Sequence, residues 1–103
     1  MDKKTDINSK INDFVNEVKR NIQVKTIYLF GSFVNGRNSR YSDIDVAIVS
    51  DDFMGFKFED RKKINPIILK INTNIEIHPF TSKEFEEKNP FVKEILKTGK
   101  RIL

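Results

Sequence analysis

The run Asp43-Ile44-Asp45-Val46-Ala47-Ile48-Val49-Ser50 constrains this chain more than any other stretch of it. Its apolar and β-branched content predicts a strand. Strand side chains alternate between two faces, so Ile44, Val46 and Ile48 share one face and enter a core, while Asp43 and Asp45 share the other. Two carboxylates so placed repel each other. A bound metal, a basic neighbour or solvent at a strand end would relieve the repulsion. The pattern alone leaves these open, because charged residues are common on the solvated face of a half-buried sheet.

The segments around this strand read as follows. Ile7, Ile11, Phe14, Val15, Val18 and Ile22 form one apolar helical stripe, which predicts a helix over 6–21. Val24-Lys25-Thr26-Ile27-Tyr28-Leu29-Phe30 predicts a strand stopped by Gly31. A helical turn follows over 32–35, ended by Gly36, then a polar loop over 37–42. Residues 58–71 predict a helix with a kink or restart at Pro66, which lacks an amide hydrogen. A hairpin over 67–77, turning at Asn72-Thr73-Asn74, is the alternative there. Ile75-Glu76-Ile77-His78 is the third strand. A short helix is expected over 82–87, capped by Thr81 or Ser82. A last helix opens at Asn89-Pro90, buries Phe91, Ile95 and Leu96, and ends at Gly99. The expected class is α/β (α+β), a small sheet with helices packed on it.

Composition narrows the function classes. The 103 residues suggest one domain. Such a chain buries only about 65% of its unfolded surface, leaving little room for a second substrate-binding lobe. Fourteen Ile and nine Phe are enough for a core. The absence of Cys excludes disulfide frameworks and thiolate metal sites. No apolar run is long enough to span a membrane, and the N-terminus lacks the apolar stretch of a leader, so a cytoplasmic protein is expected. The net charge of +4 comes from scattered basic residues, not the clustered face that direct nucleic-acid binding uses.

Phe30-Gly31-Ser32 takes a strand into a glycine and then a helical turn. Glycine permits close approach of a ligand, and free amides at a helix start favour an anion such as phosphate. A Gly-Ser pair alone is an ordinary turn. What distinguishes this chain is the joint spacing: Gly31-Ser32, ten residues, then Asp43-x-Asp45 running into Val46-Ala47-Ile48, with Gly36 and Ser42 in between. This pattern resembles the signature of the nucleotidyltransferase superfamily that includes DNA polymerase β. From about Ile7 to Leu103 the chain is similar to the small stand-alone members called minimal nucleotidyltransferases.

The resemblance implies a nucleotidyltransferase fold with a mixed sheet. It implies that Gly31 and Ser32 bind a nucleoside triphosphate, with Ser42 in the same matching run, and that Asp43 and Asp45 hold Mg²⁺. Two ions and ATP as substrate are expected. A third carboxylate on a neighbouring strand usually completes the set and activates the attacking hydroxyl. Glu76 is the candidate, where many relatives carry Asp. Arg37 and Arg40 lie in the intervening loop; they read first as solvated loop residues, and second as groups that neutralise phosphate charge. His78 shares the face of Glu76; a single His followed by Pro reads first as structural, and as a phosphate or metal contact second. Lys57, Arg61, Lys62 and Lys63 read as a solvated helix face.

Minimal nucleotidyltransferases are typically paired with a HEPN-domain protein in toxin–antitoxin modules. The resemblance therefore implies a Mg²⁺-dependent protein adenylyltransferase acting as antitoxin, moving AMP from ATP to a hydroxyl on its HEPN partner. One alternative is a catalytically weak module that neutralises a HEPN ribonuclease by occlusion. Another is nucleotide addition to RNA ends, which would need a phosphate-tracking surface.

Overall fold

In the computed structural model, which describes residues 3–31, 34, 44–71 and 74–103, the N-terminal stripe from Ile11 to Val18 becomes the inner face of a helix. This helix, α1 (Lys3–Asn21), buries Ile11, Phe14 and Val18 and begins one turn earlier than its apolar pattern. The strands are β1 (Thr26–Phe30), β2 (Ile44–Val49), β3 (Ile75–Phe80) and β4 (Lys100–Arg101). They form one mixed sheet in the order β3-β2-β1-β4. β1 runs antiparallel to β2 and to β4, while β2 and β3 are parallel. The parallel pair needs a crossover, and α2 (Lys57–Ile71) supplies it. A third helix, α3 (Pro90–Thr98), precedes β4.

Strand alternation sorts the core into two layers. Ile27, Leu29, Ile44, Val46, Ile48, Ile75 and Ile77 meet α1 and α2 on one face. Phe30, Ala47, Val49 and Phe80 meet Val92 and Ile95 of α3 on the other. Both faces of β2 are therefore covered, and Asp45 is its one residue that is not buried. The half-buried sheet, with Asp45 on a broadly solvated face, does not form: Ala47 and Val49 on that face are buried.

Five expectations need correction. α2 runs without a restart through Pro66, because Lys62 and Pro66 are both exposed and the carbonyl that loses its partner faces water. The hairpin alternative fails, since β3 leaves α2 to lie parallel to β2. The short helix over 82–87 is a single turn. Thr81 and Glu84 cap each other reciprocally, Thr81 N–H to Glu84 Oε1 at 2.9 Å and Glu84 N–H to Thr81 Oγ1 at 3.2 Å. One turn is too short to propagate, and Phe85 instead packs on Phe80 and Tyr28. In α3, Val92 and Ile95 are the buried pair, whereas Phe91 is 45% and Leu96 36% exposed. β4 was absent from the expected order, since two exposed basic residues carry no strand pattern.

The N-cap of α3 forms as expected: Asn89 Oδ1 accepts from Phe91 N–H at 3.0 Å and Pro90 opens the helix. Gly99 ends it in an extended conformation. A side chain there would meet Ile95 O at 2.5 Å and Leu29 O at 2.9 Å, so glycine is what lets β4 reach β1. Among the described residues no helix is long and apolar enough to cross a membrane.

Candidate active site

The site is built where β1 ends and β2 begins. The register pairs Phe30 with Asp45, so the chain leaves β1 at Gly31 beside the Asp45 carboxylate. Gly31 has φ +81, and a Cβ there would stand 2.3 Å from Asp45 Oδ2. Only glycine combines that backbone conformation with that approach. The glycine expected to open a phosphate cradle thus also packs against the candidate metal-binding carboxylate.

The parallel register pairs Asp45 with Glu76, and Ala47 with His78. All three ionisable residues lie on the α3 side of the sheet. His78 Nε2 is 3.2 Å from Asp45 Oδ1, with side chains 20% and 25% exposed. The ring is held by aromatic neighbours, Phe30 at 4.9 Å and Phe91 at 5.7 Å between centroids. Glu76 is exposed. One ligand atom from each of Asp45, Glu76 and His78 lies within 4.8 Å of the others.

That spacing fits a divalent ion. Ligands about 2.1 Å from an octahedral ion stand about 3 Å apart when adjacent and about 4.2 Å apart when opposite. The Asp45–His78 separation of 3.2 Å is close to the adjacent value. Two carboxylates and an imidazole are a competent donor set for such an ion.

Asp45 and Glu76 thus come together as the family resemblance implies, with Gly31 against the first. Ser32, Gly36, Arg37, Arg40, Ser42 and Asp43 lie outside the described residues. His78, read from sequence first as structural, belongs to the cluster. Its signal was its spacing of two from Glu76, which fixes a shared face. The helix face with Lys57 is less free than expected. Lys57 Nζ donates to Pro79 O, lies 4.1 Å from the Phe80 ring centroid, and stands 3.9 Å from Glu84. Burial lowers its pKa, partly offset by Glu84. Lys57 is therefore a clip between α2 and the end of β3. Lys63 Nζ likewise donates to Asp52 O at 2.8 Å.

The probable protein adenylyltransferase MntA of Haemophilus influenzae is 45% identical over 38 residues, 37% of this chain. The match spans about a third of that relative's length (33%). A chain of a toxin–antitoxin solved with AMP-PNP superposes with a TM-score of 0.65 at 21% identity, covering 87% of this chain and 69% of that one. A chain from the tri-AMPylated Shewanella oneidensis HEPN toxin in complex with MNT antitoxin gives 0.54 at 18% identity, covering 89% and 70%. At these identities the two structures establish a common fold. The family model of the nucleotidyltransferase domain matches residues 11–103. By sequence over nearly its whole length, and by fold, the chain belongs to the nucleotidyltransferase domain family.

Proposed function

We propose that the chain transfers AMP from ATP to a hydroxyl on a HEPN-domain partner protein, and that it serves as the antitoxin of that pair in the cytoplasm. The observation that carries the reading is the register of two parallel strands, which sets Asp45 beside Glu76 with Gly31 packed on Asp45. The likeness to MntA supports the acceptor being a protein.

Asp45 and Glu76, together with Asp43 from the sequence motif, would hold Mg²⁺, with two ions expected in the full site. Bound Mg²⁺ supplies charge neutralisation on the triphosphate and on the pyrophosphate leaving group. Gly31 and Ser32 would present backbone amides to the phosphates, with Ser42 and Arg37 beside them. The Glu76 carboxylate, exposed beside Asp45, would take the proton of the acceptor hydroxyl. The hydroxyl oxygen then bonds to the α-phosphorus as the bond to the bridging oxygen breaks, and pyrophosphate leaves with that electron pair. Glu in place of Asp is the feature that favoured occlusion. The carboxylate nevertheless reaches the cluster, which favours the enzyme.

Radiolabel transfer from α-labelled ATP to a co-purified HEPN partner tests this. Asp45→Ala and Glu76→Gln should each lower the rate by about 10²-fold or more, the usual range for a lost acid–base or charge-stabilising group. Undiminished labelling by both variants would refute the assignment.

A further inference from the structure

The donor set contains one group that phosphate chemistry with Mg²⁺ does not require: an imidazole. We propose that His78 Nε2 is itself a ligand of the divalent ion held by Asp45 and Glu76, and that it biases the site toward Mn²⁺ and Co²⁺ over Mg²⁺. This rests on the reading of Asp45 and Glu76 as metal ligands and deepens it.

Three observations carry the inference. First, Nε2 points at the cluster: it lies 3.2 Å from Asp45 Oδ1, about the edge between adjacent ligands of an octahedral ion. Second, the ring is already placed. Phe30 and Phe91 flank it and its side chain is 20% exposed, so little rotamer freedom remains to be lost on binding. Third, the register puts Ala47, the smallest side chain of β2, opposite His78, leaving the ring room to lean along the strand toward Asp45. Neutral imidazole is a good ligand for transition metals, whereas Mg²⁺ prefers oxygen and keeps its waters. A ring that only filled space would have no need to set its nitrogen 3.2 Å from the Asp45 carboxylate.

The alternative role, a hydrogen bond that merely orients Asp45, makes a different prediction. His78→Gln retains a donor for Asp45 but is a poor metal ligand. Mn²⁺ binding by the full chain, read by electron paramagnetic resonance with Mg²⁺ as competitor, gives both affinities without any turnover. His78→Gln should weaken Mn²⁺ by about tenfold or more while leaving Mg²⁺ within about threefold, the scale on which changes around a metal alter affinity. Equal losses for both metals, or none for either, would overturn the proposal. Asp45→Asn tests the metal site apart from the role of His78, since it should abolish binding of both metals. If it does not, the site reading itself fails.

A second measurement needs no variant. His78 is the sole histidine, so any imidazole resonance of the chain is its own. Loading with Co²⁺ should produce a strongly shifted, exchangeable ring N–H signal in the proton spectrum. Stoichiometric Co²⁺ binding without that signal would overturn the proposal.

Discussion

A single methyl group at Gly31 would oppose the backbone and the carboxylate at once, requiring φ +81 of an L residue and a Cβ 2.3 Å from Asp45 Oδ2. Gly31→Ala is expected to cost about 1–3 kcal/mol in chemical denaturation, the usual scale of a strained residue, and to abolish Mn²⁺ binding by displacing Asp45. Unchanged metal affinity would separate Gly31 from the site. At this scale much of the chemistry was legible. Strand parity alone puts Glu76 and His78 on one face and lifts Asp45 away from Ile44 and Val46. The pairing of Asp45 with Glu76 was not legible from parity, because register between strands separated by a whole helix is decided by packing on both sheet faces. That register also brings His78 to Asp45, which is why a lone histidine before a proline read first as structural.

The elements carry a prediction that runs against the usual expectation for core helices. Pro66 lies inside α2 but on its solvent face, so it contributes no buried packing and removes one helix hydrogen bond. Pro66→Ala should raise the melting temperature, by up to about 3 kcal/mol of added stability on helix propensity. A lower melting temperature would mean that the proline ring itself is needed. The N-terminus of α2 is held differently: buried Asp60, 1% exposed, accepts from Met54 N–H at 2.8 Å and Gly55 N–H at 3.0 Å. Periodicity finds long elements such as α1, whose stripe is continuous, and overlooks such devices. It missed β4 for a related reason. Lys100 and Arg101 join the sheet through backbone bonds to β1 made possible by Gly99, not through any side-chain pattern. The single turn after Thr81 shows the converse, a good capping signal with too little chain behind it to make a helix.

Across the whole molecule, contacts distant in sequence tie three strands together at one end of the sheet. Asp51 joins three segments, pairing with Lys25 Nζ at 2.9 Å and accepting from Ser82 N–H at 3.1 Å. The hydrogen bond from Lys25, then those from Ser82, lower its pKa from 3.8 to about 2. A lowered carboxylate stabilises the fold above its unfolded pKa and loses that contribution as pH falls through its folded value. Asp51→Asn should therefore flatten the fall of melting temperature between pH 4 and pH 2 and change little at pH 2, by a small amount because the pair is exposed. An identical acid profile would show the pair to be inert.

The same sheet presents Gly31, Asp45, Glu76 and His78 together at one end, and this arrangement underlies the central claim that the site moves AMP onto a protein. The most direct measurement is the intact mass of a HEPN-domain protein, taken as the candidate acceptor, after incubation with the chain, ATP and Mg²⁺. The expected result is a gain of one or more whole AMP units, lost with Asp45→Ala or on chelation. Neutralisation of the partner with no change in its mass would contradict it.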